Sequence, residues 1–141
     1  MIDIENDVFQ MVSMALLNSI YTGTTVLPEY TESISELPAV TVVESDNNVF
    51  RRMRTENIEN AVNVVYEVNV FSDKVGAKKQ EAKGILSVID DAFTTHGFTR
   101  MMQFTVPNFA DSRIYRIVAR YAAVVGPNGN NNYLIYQNGA T

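Results

Sequence analysis

The sequence predicts a single α+β domain in which two helices pack on one face of a mostly antiparallel sheet of four or five strands. Two segments carry apolar residues at intervals of three and four, which is typical of amphipathic helices. Two others are long runs of alternating side chains rich in valine, which is typical of strands. The predicted elements follow the order α-β-β-α-β-β-β, and no repeat or linker divides residues 1–141.

The N-terminal part of the chain contributes a helix and a first strand. The helix is predicted from Asp3 to about Ile20 by its apolar stripe. The acidic residues near its start interact favourably with the positive end of the helix dipole. Residues 24–37 show no sustained period, so we expect them to be irregular. Residues 39–44 predict a strand, which the polar residues 45–48 are expected to end.

The middle of the chain carries the clearest strand and the second helix. Residues 49–59 have no clear period and predict an exposed connection. Between residues 61 and 72 the side chains alternate over what would be roughly 40 Å of extended chain. Residues 77–95 carry an apolar stripe with charged residues opposite and predict a helix. His96 and Gly97 are expected to end it, with the His96 ring capping helix carbonyls.

Three further strands are predicted in the C-terminal part. Residues 99–106 and 113–125 form two of them, and residues 133–137 a short last one. The strand at 113–125 is about twice the usual length. The Asn- and Gly-rich residues 126–132 are expected to form a loop, and residues 138–141 a flexible tail.

Two helices can cover one face of such a sheet but not both. The face predicted to be covered carries Val62, Val64, Tyr66, Val68 and Val70 of the earlier long strand and Tyr115, Ile117, Ala119, Tyr121, Ala123 and Val125 of the later one. The opposite face, here called the second face, carries Asn63, Val65, Glu67, Asn69 and Phe71 together with Arg116, Val118, Arg120 and Ala122. Its mixed composition leaves two interpretations open: a half-solvated surface with Glu–Arg pairs across strands, or a contact surface for a neighbouring subunit. The length of the two strands favours the contact surface.

Residue types and motifs argue against an enzyme. The chain has no cysteine and one histidine, which excludes a thiolate nucleophile and a zinc site of clustered Cys and His. It has no glycine-rich phosphate loop, and the adjacent carboxylates Asp90 and Asp91 point about 100° apart on a helix. We therefore expect no catalytic residue, no metal and no cofactor.

Charge and hydropathy bear on the partners. A net charge of −5 disfavours specific binding of nucleic acid, which needs a basic surface. No apolar run is long enough to span a membrane, and the acidic N-terminus does not resemble a signal peptide. The one basic cluster, Arg51-Arg52-Met53-Arg54, fits a solvated loop, a contact with carboxylates of a neighbouring subunit, or a contact with phosphate. The 16 acidic residues in each copy favour carboxylate over phosphate.

Six short motifs occur in order along the chain: PAVTVVE at 38–44, ENA at 59–61, YEVNVFS at 66–72, KQEAK at 79–83, GFTR at 97–100 and IYRIVARY at 114–121. In this order they resemble small tail-completion proteins of phages and prophages of Gram-positive bacteria, over about residues 2–125. The resemblance implies a tail terminator, a subunit that forms a ring, typically hexameric, at the head-proximal end of the tail tube. Such a ring would end tube growth and join the tail to the neck.

The resemblance also implies partners and a location. The partners would be further copies of the chain, the tail tube protein, the neck or connector protein and, in a contractile tail, the sheath. DNA would pass through the ring without specific binding, and no membrane would be involved. The protein would reside in the tail or neck of the virion after assembly in the host bacterial cytoplasm.

From these observations we expect subunit contacts through the basic cluster, the second face and the region before the last long strand. The candidate interface residues are Arg51, Arg52, Arg54, Glu67, Phe71, Phe109, Asp111, Arg113, Arg116 and Arg120. Two other functions stay open. One is a neck or head-completion connector subunit, and the other is a small protein-binding module outside the virion.

Overall fold

The computed structural model describes residues 2–31, 34, 36–49, 61–107, 111–127 and 133–136. The elements in these ranges are α1 (Glu5–Leu17), β1 (Thr25–Leu27), β2 (Ala39–Val49), β3 (Val62–Ser72), α2 (Lys78–Thr95), β4 (Thr99–Val106), β5 (Tyr115–Pro127) and β6 (Tyr133–Tyr136). The predicted α+β class is confirmed.

All six described strands belong to one sheet. Their spatial order is β1-β2-β3-β5-β4, and β6 pairs with the end of β5. β1 runs parallel to β2, and every other pairing is antiparallel. The long strands β3 and β5 therefore lie in the centre of the sheet, whereas β4 lies at an edge.

Both helices pack on the same face of the sheet, as the sequence predicts. The core contains Val8, Val12 and Leu16 of α1 and Ala82, Ile85, Leu86, Ile89 and Phe93 of α2. From β3 and β5 it contains the alternating residues that the sequence assigns to the covered face, except Tyr115, which is partly buried and packs against the core. The ring of Phe93 stacks on that of Tyr121 at 4.2 Å between centroids. This face is the hydrophobic core of the domain.

The boundaries of both helices lie close to the predicted ones. α1 begins two residues later than predicted and ends at Leu17 rather than near Ile20. His96 is the C-cap residue of α2, and its Nδ1 lies 2.8 Å from the carbonyl oxygen of Ala92. This contact confirms the capping role expected for His96. No helix in the described part of the chain is long and apolar enough to cross a membrane.

β2 is longer than the sequence predicts. The polar residues 45–48, expected to end it, continue the strand to Val49 and stay paired with the beginning of β3. A bulge between Glu44 and Asp46 accommodates the change of register. The amide of Asn47 donates to the backbone oxygen of Ile2 and to Glu44 Oε1, each at 2.9 Å. Tertiary hydrogen bonds thus overcome the turn preference of these residues.

Two further strand segments differ from the prediction. β1 lies within residues 24–37, which were expected to be irregular, and a three-residue strand is too short to show a period. Gly126 and Pro127, expected in the loop, end β5 and pair with β6. The described sheet therefore has six strands rather than four or five. The rest of that loop, the connection at 50–59 and the tail at 138–141 lie outside the described residues.

Candidate functional site

The register between β3 and β5 brings the predicted second-face residues together. Glu67 lies opposite Arg120, and Phe71 lies opposite Arg116. Asn69 lies between them on the same face, because side chains two residues apart on a strand point the same way. Four of the ten candidate interface residues, Glu67, Phe71, Arg116 and Arg120, thus form one surface.

A chain of hydrogen bonds crosses this surface. Arg116 donates from Nε and one terminal nitrogen to Asn69 Oδ1, at 2.9 and 2.7 Å. The amide nitrogen of Asn69 donates to Glu67 Oε1 at 3.3 Å, and Arg120 bonds Glu67 Oε2 at 3.2 Å. The cross-strand Glu–Arg pair that the half-solvated interpretation of this face expects is present between Glu67 and Arg120. The four polar groups hold one another in fixed positions.

One end of the second face is buried within the chain. Asn69 is 1%, Phe71 4% and Val118 1% exposed. The guanidinium carbon of Arg116 lies 5.3 Å from the ring centre of Tyr30 and 5.6 Å from that of Phe71. Arg116 thus makes cation–π contacts with both rings. The segment after β1 therefore reaches over this end of the face, so only the remainder is open to a partner.

The open remainder borders an apolar patch on β4. Met101, Met102 and Phe104, here called the β4 patch, are 55%, 41% and 40% exposed. Met102 pairs with Arg120 and Phe104 with Val118, so both point to the second face. The patch continues the mixed surface of β3 and β5 to the edge of the sheet. An apolar area beside arginine and carboxylate is a common composition for protein contacts.

None of the residues of the β4 patch is among the ten candidate interface residues that the sequence predicts. The strand itself was predicted, but its position at the edge of the sheet depends on pairing with β5, which lies 10 or more residues further along the chain. The available signal was the alternation of the apolar residues Met102, Phe104 and Val106 with the polar residues 103 and 105. That alternation is not distinctive without knowledge of the sheet order.

Asp111 and Arg113 form an ion pair within one turn. The Arg113 Nε and one terminal nitrogen lie 3.0 and 2.8 Å from the two carboxylate oxygens of Asp111. The hydrogen bonds from the Arg113 side chain and backbone lower the pKa of Asp111 to about 2. The pair lies apart from the Glu67–Arg120 network and orders the turn before β5. Arg51, Arg52, Arg54 and Phe109 lie outside the described residues.

The two buried tyrosines of the covered face, Tyr66 and Tyr121, form hydrogen bonds that belong to the core. The Tyr121 hydroxyl donates to Asp90 at 2.8 Å, and that of Tyr66 to Glu44 at 3.4 Å. Burial is the main cause that raises the pKa of both tyrosines, so they stay protonated donors. Among the described residues, no group of three or more His, Asp or Glu side chains is placed to hold a metal ion.

No protein-family model matches the chain, and no curated protein is significantly similar to it. Function is therefore inferred from the surface of the molecule and from the order of the motifs along the chain.

Proposed function

We propose that this chain is a structural subunit of a long-tailed phage particle that forms a ring at the head-proximal end of the tail tube. The ring would end tube growth and join the tail to the neck. The observation that supports the proposal most is the β4 patch beside the ordered Glu67–Arg120 pair. Such a surface is costly to leave in water and is suited to contact with another protein.

The size of the patch indicates how the ring would form. Full burial of a Met or Phe side chain contributes about 1.5–3 kcal/mol. Covering three side chains that are each about half exposed would therefore contribute on the order of 2–4 kcal/mol per contact. Association of two free proteins costs at least about 4 kcal/mol. We therefore expect the ring to form at high protein concentration or on the end of the tube, where several contacts close at once.

A ring also explains how a small subunit can stop a polymer. Identical contacts that use two different surfaces of each subunit either close into a ring or continue as a filament. A closed ring, hexameric in the proteins that the motifs resemble, presents one side to the tube and the other to the neck. The partners would be the tube protein, the neck protein and a sheath if the tail contracts. The net charge of −5 would let DNA pass without being held.

Tails assembled without this protein test the proposal. In a phage that encodes the chain, negative-stain microscopy should show overlong tubes or tubes detached from heads. Supplying the wild-type chain or Val75→Lys should restore normal tails, since Val75 is exposed and far from the patch in sequence. Phe104→Lys should not restore them. Normal tails in the absence of the protein would contradict the proposal.

Pull-down experiments separate the two sides of the ring. A tail terminator should retain both the tube protein and the neck protein. Retention of the neck or portal protein alone would instead support a head-completion subunit. A chain that stays monomeric at high concentration and retains no virion protein would support a binding module outside the virion.

A further inference from the structure

The charges of the chain are distributed unevenly along it. Residues 1–50 contain eight acidic residues and no lysine, arginine or histidine, whereas residues 51–141 contain eight acidic residues and all 11 lysines and arginines. The first part therefore has a formal charge of −8 and the second part +3, which together give the net charge of −5. An asymmetry of this kind bears on association with other molecules rather than on the fold.

The fold places the two parts side by side. The first part forms α1, β1 and β2, and the second part forms β3, α2, β4, β5 and β6. β1 and β2 lie together at one side of the sheet, with α1 in contact with them. β5 and β4 lie at the other side, with α2 in contact with them. The part of the domain without cations and the part that carries all described cations thus lie on opposite sides of one molecule.

The acidic half, here defined as α1, β1, β2 and the segments that join them, has no compensating charge among its described residues. Its described carboxylates are those of Asp3, Glu5, Asp7, Glu29, Glu36, Glu44 and Asp46. All are exposed except Glu44, which is half-buried. The ion pairs between described residues all lie in the other half of the domain. Desolvation and the nearby carboxylates of Glu44, Asp3 and Glu29 raise the pKa of Glu5, so like charges crowd at the start of α1.

The other half carries lysines that make no ion pair with a described residue. These lysines, here called the lysine patch, are Lys74, Lys78, Lys79 and Lys83. They lie in the first turns of α2 and in the turn before it, where the helix dipole is also positive. Lys79 and Lys83 are exposed and lie one helical turn apart on the same face. The same stretch contains two acids, Asp73 and Glu81, so it keeps a formal charge of +2.

The arginines in the described part of the chain are already engaged within it. Three of them form ion pairs with Asp90, Asp111 and Glu67. Arg116 donates two hydrogen bonds to Asn69. The carboxylates of the acidic half and the lysine patch are therefore the two sets of described charges that have no opposite charge bound to them, and they lie on different parts of the same molecule.

A second copy of the chain is the partner that these charges fit. A ring is closed by heterologous contacts, in which two different surfaces of identical copies meet. Opposite charges on the two surfaces favour that contact, and they disfavour contact of either surface with itself. The chain supplies both surfaces, so each copy has one for each neighbour.

We propose that the acidic half of one subunit faces the lysine patch of the next, so that opposite charges set the direction of the copies around the ring. The proposal rests on the ring function above and specifies its contact. Exposed charges are screened by salt, so the concentration of wild-type chain needed for half-assembly should rise as the ionic strength rises.

Charge reversal in the full-length chain tests the contact. One variant carries Glu5→Lys with Glu29→Lys in the acidic half, and the other carries Lys79→Glu with Lys83→Glu in the lysine patch. All four positions are exposed, and none of the four side chains makes a hydrogen bond or ion pair with a described residue. Either variant alone brings like charges together, so we expect each to raise the half-assembly concentration about 10-fold. Circular dichroism checks that both variants are folded.

Mixing the two variants is the decisive measurement. If the copies alternate around the ring, every contact again joins opposite charges. An equimolar mixture should therefore assemble close to the wild-type concentration. Native mass spectrometry should find equal numbers of the two variants in each ring, since their masses differ. Alternation requires an even number of subunits, which a hexamer provides.

Asp73→Lys with Asp91→Lys is the matched control. Both residues are exposed, and the substitutions change the net charge as much as the acidic-half variant does, but in the other half of the domain. This variant should assemble at the wild-type concentration or below it. An equal loss of assembly in this control would show that net charge, and not the position of the charges, decides association, and would overturn the proposed contact.

The remaining outcomes separate this contact from the ring function. A mixture that stays dissociated, with both variants folded and the wild-type chain assembled, would overturn the contact and leave the ring function standing. Assembly of either reversal variant at the wild-type concentration would do the same. A wild-type chain that is monomeric alone and on tail tubes would contradict both proposals.

Discussion

The hydroxyl of Tyr121 in the centre of the sheet donates a 2.8 Å hydrogen bond to Asp90 of α2. Arg100 of β4 lies 3.2 Å from the same carboxylate oxygen, so three elements meet at one acid. The bond satisfies a hydroxyl on a fully buried side chain, and a charged acceptor strengthens it. This contact joins the second helix to the sheet at the point where Phe93 stacks on Tyr121.

Tyr121→Phe should therefore destabilise the protein by about 1.5–3 kcal/mol, because the ring contacts remain while the hydrogen bond to a charged acceptor is lost. Urea unfolding followed by circular dichroism measures the change. Tyr115→Phe is the matched control, since its hydroxyl contacts Thr105 at an exposed site. That variant should stay within about 0.5 kcal/mol of wild type. Equal losses of unfolding free energy in the two variants would show that the buried hydrogen bond stabilises the protein no more than the exposed one.

Gly84 in the middle of α2 should not tolerate a side chain. A Cβ at this position would overlap the hydroxyl of Tyr21 and lie 2.7 Å from its Cζ. In an open helix, Gly→Ala would stabilise by about 1 kcal/mol. Here we expect Gly84→Ala to destabilise, by about 1–3 kcal/mol as for other overpacked sites. Thermal unfolding gives the sign directly.

The Tyr21→Ala background tests the cause of the Gly84 effect. Without the Tyr21 ring, Gly84→Ala should become neutral or stabilising, and the double-mutant cycle should show a coupling of about 1 kcal/mol or more. A Gly84→Ala variant that stabilises the wild-type chain would mean that Tyr21 moves aside at no cost.

Asn69 is the central member of the second-face network and is buried. Asn69→Ala should destabilise by about 1–3 kcal/mol, because Arg116 loses the acceptor of two hydrogen bonds and Glu67 loses a donor. Asn63→Ala is the control on the same strand and face, where the side chain is exposed. Chemical unfolding should separate the two variants clearly. If Asn69→Ala unfolds like Asn63→Ala, the network adds no stability.

Asp111 should titrate well below an ordinary aspartate. Its pKa is lowered from 3.8 to about 2, first by hydrogen bonds from Arg113. A lowered pKa means that the folded state binds fewer protons than the unfolded one between these values. Its contribution to stability is therefore present above about pH 4 and is lost as the pH falls towards 2. In Arg113→Gln, the carboxyl carbon observed by NMR should titrate near pH 4, and an unchanged midpoint would contradict the assigned cause.

Residue periodicity is sufficient to assign the two faces of the long strands. In β3 and β5 the alternation of side chains follows from the pleat, so Tyr66 had to point away from the side of Glu67, and Tyr121 away from the side of Arg120. The helical stripes likewise identified α1 and α2, since a period of 3.6 residues over several turns is distinctive. These features are local, and local backbone geometry predicts them.

The conformational preferences of individual residues did not predict the strands that depend on pairing with distant parts of the chain. The polar residues 45–48 have the composition of a turn, yet they continue β2 because β3 supplies its backbone partners. β1 is too short to show a period and is a strand only because β2 lies beside it. In both segments the hydrogen bonds that define the strand come from residues elsewhere in the chain.

The sequence by itself determined the fold class, the covered and second faces, and the presence of arginine and carboxylate on the second face. Tertiary structure alone decided that Glu67 meets Arg120, that Tyr30 reaches Arg116, and that β4 lies at an edge with Met102 and Phe104 exposed. The reason is physical. Alternation depends on neighbouring residues, whereas register and sheet order depend on which distant strands pair, and many pairings are compatible with the same local pattern.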